Sequence, residues 1–255
     1  MDLFDKLSEI TVRIEKLADG LQTEGATKTA LVMPFIQALG YDVFNPLEVI
    51  AEFTADVGIK KGEKVDYAII KDGQPIMLFE CKMAGSDFEK LTPSQLYRYF
   101  SVTSARFGVF TDGIRYQLFS DLEAPNKMDS KPFFEFDMLN LNKQIANELR
   151  KFGKQDFDVD TILETASELK YTKGIIRSLS DELSSPSEDF VKMFCCRVYS
   201  GRFTQAVKDQ FTEITRRALQ EFVSERVNMR LKSALERYSQ LLWMKIFVRR
   251  RLLGI

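Results

Sequence analysis

Gly62-Glu-Lys-Val-Asp-Tyr-Ala-Ile-Ile-Lys-Asp-Gly-Gln-Pro-Ile-Met-Leu-Phe-Glu-Cys-Lys82 decides how the chain is read. Two apolar segments, 64–70 and 75–83, flank Lys71-Asp72-Gly73, where glycine supplies the positive φ of a hairpin turn. Asp66, Glu80 and Lys82 interrupt them. Charges in strands this apolar are costly unless paired, hydrated or bound to a metal. Side chains alternate along a strand, so Glu80 and Lys82 share a face with Ile76 and Leu78. A two-residue Asp72-Gly73 loop would set Asp66 opposite Phe79, on the wrong face. A three-residue loop over 71–73 pairs Ile70 with Gln74 and sets Asp66 opposite Leu78, diagonal to Glu80 at about 7–8 Å. All three charges then leave one face, with Phe79 and Cys81 opposite. Two carboxylates so spaced can converge on a divalent cation; the plainer alternative is a cross-strand ion-pair cluster.

Composition narrows the chemistry. The chain has 255 residues, 45% hydrophobic and 29% charged, as in an ordinary globular protein. It contains no histidine, which excludes Ser-His-Asp and Cys-His catalysis and histidine-ligated metal sites. Cys81, Cys195 and Cys196 make no zinc set and are expected reduced and buried. No apolar run reaches the length of a membrane span and no signal peptide is evident, so a cytoplasmic location is expected. The net charge of −1 argues against a strongly basic nucleic-acid binder, although residues 226–255 carry eight Lys/Arg against Glu236 alone.

Along the chain, Leu3, Leu7, Ile10, Ile14 and Leu17 mark an amphipathic helix. A second helix over 22–39 contains Pro34, where a kink is expected, and closes at Gly40. Residues 47–53 read as a half-exposed strand and 84–91 as a polar, mobile connection. Thr92-Pro-Ser-Gln95 opens a helix with Thr92 as N-cap and Gln95 as its capping-box partner. Segments 107–110 and 114–119 form a second hairpin, and 133–136 an edge strand. Helical periodicity follows at 141–152, 159–182, 187–199 and 203–238, then an apolar run at 241–248 before Arg249-Arg-Arg251. The expected division is 1–140 as an α/β domain and 141–255 as an all-helical module for oligomerisation or partner contact.

Asp66 followed by Glu80-Cys81-Lys82 resembles the PD-(D/E)xK nuclease motif, with Val65 in place of its leading proline. Thr23-Glu24-Gly-Ala-Thr-Lys-Thr-Ala-Leu31, Leu39-Gly40-Tyr41 and Gln95-Leu-Tyr-Arg-Tyr99 resemble the N-terminal nuclease domain of type I restriction enzyme R subunits, over roughly residues 20–140. The charged triplet alone is a weak signal; in this order, with the upstream glutamate and Gln-x-x-x-Tyr, it is fairly specific.

That resemblance implies a restriction-endonuclease-like core, a mixed central sheet flanked by helices, and Mg²⁺-dependent hydrolysis of DNA, with Mn²⁺ as substitute. Asp66 and Glu80 would ligate Mg²⁺ at about 2.0–2.1 Å. The backbone carbonyl of Cys81 would join them, as would Glu24 directly or through water. Lys82 would orient the attacking water or stabilise developing charge. Without the resemblance, Glu24 is simply a first-turn carboxylate favoured by the helix dipole. Gln95 and Tyr99 would handle DNA beside the centre. Lys60, Lys61 and Lys64 could meet phosphates, although most lysine runs are solvated loops. No Gly-x4-Gly-Lys-Ser/Thr stretch occurs, so no ATP site or motor is expected in this chain. A homodimer through the C-terminal helices is the simplest assembly, and a methyltransferase or motor partner fits the implication. The rival is a DNA-binding or assembly protein that keeps the fold without cutting; Mg²⁺ or Mn²⁺ binding separates the two.

Overall fold

The computed structural model describes residues 2–54 and 64–253, with side chains up to residue 232 except that of Glu89. Lys60 and Lys61 lie outside the described residues, as do the side chains of 241–248. The strands are β1 (Val49–Phe53), β2 (Val65–Lys71), β3 (Gln74–Cys81), β4 (Phe107–Thr111), β5 (Arg115–Ser120) and β6 (Phe134–Asp137). They form one mixed sheet in the order β1-β2-β3-β4-β5-β6. β3 and β4 run parallel and the other neighbours antiparallel.

Strand alternation sends residues into two cores. Ile69, Met77, Phe79, Cys81, Val109 and Tyr116 enter the larger one. It is covered by α1 (Leu3–Leu17), by α2 (Glu24–Thr27) and α3 (Met33–Ala38) with the π turn Lys28–Val32 between them, and by α5 (Lys143–Arg150). Ala68, Leu78 and Phe110 face a smaller core closed by Leu96, Tyr99 and Phe100 of α4 (Ser94–Val102). The helix expected to kink or weaken at Pro34 carries the π turn Lys28–Val32 just before it. Proline cannot donate to the Ala30 carbonyl, and Arg13 Nη1 approaches that oxygen at 3.4 Å instead. Gly40, at φ 94°, ends α3 with Gly40 N donating to Gln37 O and Tyr41 N to Ile36 O.

The central hairpin has a different turn from the one expected. Lys71 pairs with Gln74, leaving a two-residue loop in which Asp72 (φ 51°) and Gly73 (φ 74°) are both left-handed. Ile70 pairs with Pro75, but Ile69 pairs with Met77, so Ile76 is an extra residue in β3. This bulge restores the parity that the short loop would have lost. Tyr67 lies opposite Phe79, and one further step brings Asp66 beside Glu80 rather than Leu78.

The segment at 84–91 is pinned. Phe88 stacks on Phe110 at 4.8 Å, Arg115 lies over the Phe88 ring, and its Nη2 donates to Ser86 O at 2.9 Å.

The first compact unit is Met1–Thr172, ending well beyond the boundary expected at 140. Ala146 and Leu149 of α5, then Phe152, Phe157, Ile162 and Ala166, are all buried in the larger core. The last two belong to the start of α6 (Val159–Ser184). In the second unit, Lys173–Ile255, α7 (Glu188–Val198) packs against α8 (Gln205–Leu253) through Val191, Cys195 and Thr215. A groove of about 490 Å³ lined by Phe194, Val198, Phe211, Ala218 and Phe222 stays open there. All three cysteines are free; Cys196, expected buried, is exposed because its neighbour Cys195 takes the packed face of α7. The chain is thus α/β, a mixed sheet flanked by helices followed by a helical region. Among the described residues no helix is long and apolar enough to cross a membrane.

Candidate active site

Pairing between β2 and β3 ends at Tyr67 and Phe79. Beyond it, β2 departs from strict alternation: Val65 and Tyr67 enter opposite cores. Asp66, between them, turns its carboxylate toward β3, where Oδ2 accepts the Cys81 N–H at 2.6 Å. Its Oδ1 accepts from Lys28 Nζ at 2.8 Å. The expectation of three charges on one face therefore holds for Glu80 and Lys82, which pair, while Asp66 turns instead to the Cys81 N–H and to Lys28.

Glu80 is 2% exposed, a burial that a carboxylate tolerates only with partners. Oε1 meets Lys82 Nζ at 3.0 Å, and Oε2 accepts the Leu96 N–H at 3.0 Å. Leu96 belongs to the first turn of α4, whose N-cap, Pro93, makes no side-chain hydrogen bond. Glu80 therefore caps α4 from a neighbouring strand, where a negative charge also suits the helix dipole. This corrects the reading of Thr92 and Gln95 as a capping box. Gln95 is half-buried on α4, and Tyr99 is 0% exposed, edge-on to Phe53 at 6.4 Å. Tyr99 is a core residue in this conformation, not a surface for DNA.

The Thr23–Lys28 stretch (23–28) assigns most of its residues a position. Thr23 caps α2 through Ala26 N at 3.1 Å, and Glu24 stands in the first turn. Thr27, fully buried, accepts the Ala84 N–H at 2.9 Å and so ties α2 to the segment after Lys82. Lys28 reaches both Asp66 and, at 3.3 Å, Glu52. Glu52 in turn meets Lys64 at 3.7 Å, so Lys64 stands at the site's exposed rim. Among the residues the motif did not single out, Lys28, Glu52 and Thr27 matter most. The signal for Lys28 was its place four residues after Glu24, on the same helical face.

Electrostatics bind these groups into one cluster. Burial, then the charge of Asp66, raises the Glu24 carboxyl above its ordinary range; Lys82 and Lys28 oppose this and Glu80 adds to it. Burial alone would lower Lys28, but hydrogen bonding and charge from Asp66, then Glu52, hold its ammonium well above the usual lysine range. Lys82 is raised in the same way, burial opposing and Glu80 prevailing. Burial pushes the Cys81 thiol far up, so its sulfur is inert and only its backbone serves the site.

The carboxylates of Glu24, Asp66 and Glu80 are hard oxygen donors of the kind Mg²⁺ takes. Among the described residues no three acidic or cysteine side chains already converge as a metal cage. Asp66 and Glu80 each hold one backbone N–H and one ammonium instead. The donor chemistry fits a divalent cation, and Lys28 sets a positive charge beside Asp66. No curated protein and no solved structure matches the chain. Residues 23–131 do match a protein family, and the match runs from the N-cap of α2 to just before β6, taking in every charged group described above. The family it matches is that of the type I restriction enzyme R protein N terminus (HSDR_N).

Proposed function

We infer that this chain is a metal-dependent DNA endonuclease of the restriction type. One observation supports it above the rest: Asp66 and Glu80 stand on neighbouring strands where the pairing of β2 and β3 ends, each carboxylate fixed by a backbone N–H, within the matched segment. Asp66, Glu80 and the Cys81 carbonyl, with Glu24 beside them, would hold Mg²⁺, or Mn²⁺ in its place. When bound, the cation would polarise the scissile phosphate and acidify the attacking water. Lys82, half-buried against Glu80, would hold that water or balance the charge that develops on the phosphate. Lys64 is available to phosphates at the rim, and Gln95 on the first turn of α4 is the motif residue left to contact DNA.

The test is cleavage of plasmid and linear DNA with Mg²⁺ against a metal-free control. Asp66→Ala and Glu80→Ala should lose cleavage and weaken Mn²⁺ binding, each removing a ligand. Lys82→Ala should lose cleavage and keep Mn²⁺ binding. Full activity in Glu80→Ala would refute the mechanism.

One observation favours a second reading, a DNA-binding or assembly protein that does not cut. Lys28 already neutralises Asp66, and a chain that never takes up a cation needs nothing more. No Mn²⁺ binding to the full-length protein would decide for it. The apolar groove on α7 and α8 suits a second copy of the chain, since two-fold pairing is the commonest oligomer symmetry, and under the nuclease reading two centres would cut two strands.

A further inference from the structure

We propose that Lys28 is the site's resident counter-ion, and that it sets cation affinity by competing for Asp66 and stepping aside onto Glu52. The inference rests on the metal-site reading above. The Lys28 ammonium lies between two carboxylates, 2.8 Å from Asp66 and 3.3 Å from Glu52. The two berths differ. Asp66 is 14% exposed and fixed by the Cys81 N–H, whereas Glu52 is 54% exposed. Glu52 also has φ 54°, a left-handed conformation uncommon outside glycine, in an otherwise extended strand.

A cation held by Asp66 would compete with, and be repelled by, the ammonium paired to the same carboxylate. Glu52 gives the ammonium somewhere to go without becoming unpaired. Lys28 is also the first residue of the π turn, where the helix widens by one residue. Lys28 thus keeps a positive charge beside the half-buried Asp66 carboxylate. The exchange costs affinity, because each cation bound must break the Lys28–Asp66 pair. Glu52 reduces that cost by holding Lys28 afterwards. Lys28 is a positioning residue in this scheme, acting through Asp66.

The measurement is Mn²⁺ titration of the full-length protein by calorimetry, with a thermal melt for each variant. Lys28→Met should bind Mn²⁺ about fivefold more tightly than the parent, the size expected when one partly exposed ion pair no longer has to be broken. Lys28→Gln should shift affinity the same way if the methionine variant fails to fold. Lys64→Met removes the same charge without touching Asp66 and should change affinity less. Glu52→Gln should weaken binding, and that weakening should vanish in the Lys28→Met background, because no ammonium then needs the second berth. Equal or weaker binding in both Lys28 variants, or an undiminished Glu52 effect in the double variant, would overturn the proposal. In that event, Mn²⁺ binding by the parent that Asp66→Asn abolishes would leave the nuclease reading standing. Absence of Mn²⁺ binding in every variant would remove the metal site itself and this inference with it.

Discussion

Glu80 holds α4 and lies at the proposed centre, and the two roles can be separated by choice of substitution. Glu80→Gln keeps an oxygen for the Leu96 N–H and loses the pairing with Lys82. Glu80→Ala leaves a buried N–H without an acceptor, at a cost of about 1–3 kcal/mol, and strands the Lys82 ammonium beside an apolar core. Thermal denaturation should therefore show a clear loss for alanine and a small one for glutamine, while Mn²⁺ titration shows weakened binding in both. Alanine at this position is not neutral to the fold, and an activity loss measured on it alone mixes the two effects. Asp66, Glu80 and Lys82 were legible in the sequence because charge in an apolar strand demands an explanation. Lys28 left only its spacing from Glu24 and Glu52 left no signal, since a lysine in a helix and a glutamate in a half-exposed strand are each ordinary until a fold brings them together.

At the scale of elements, the hairpin was read with the right parity for Glu80 and Lys82, the wrong face for Asp66 and the wrong turn. The missed signal was Pro75. Proline has no N–H for the ladder and is found at bulges and edges, so its presence next to Ile76 marked the place where β3 carries an extra residue. The capping of α4 was misread for another reason: a cap from Glu80, sixteen residues upstream, leaves no local trace in Thr92-Pro-Ser-Gln95. Two close contacts fix α2 and the π turn over the sheet, and both can be tested. At Gly113, φ is +79°, and a Cβ there would lie 2.8 Å from Leu31 Cβ. Gly113→Ala is expected to cost about 1–3 kcal/mol, seen as a lowered denaturation midpoint, from left-handed strain and overpacking together. Thr27→Val keeps the shape but removes the acceptor of the Ala84 N–H, with an expected loss of similar size, about 1–3 kcal/mol. Because Thr27 and Lys28 are adjacent, this variant should also change Mn²⁺ affinity.

At the scale of the whole chain, helical periodicity located α5, α6, α7 and α8, but not which of them complete the first core. Phe107 meets Phe152 and Phe157 edge-on at 5.7 and 5.9 Å, contacts that no local pattern announces. A chain cut after residue 140 would bare that core, whereas one ending at Thr172 keeps it. The shorter fragment should be poorly folded by circular dichroism and the longer one should unfold cooperatively. Light scattering of the 172-residue fragment beside the full chain then tests the pairing role of the remaining helices: a dimer for the full chain and a monomer for the fragment. Two monomers would end the dimer proposal.

The cap that Glu80 gives to α4 also has a consequence in time. Asp66 and Glu80 sit in one hairpin, so their approach needs only a short loop to close. The parallel neighbour β4 and the Leu96 N–H arrive only once the β3–α4–β4 crossover has formed, and Lys28 must return from thirty-eight residues upstream of Asp66. Loop-closure entropy favours the hairpin first and the crossover later. A growing or half-folded chain would thus bring its two carboxylates together while they are still hydrated and repelling each other. They become buried and oriented only with the last long-range contacts, so the proposed centre would be assembled at the end of folding and not before.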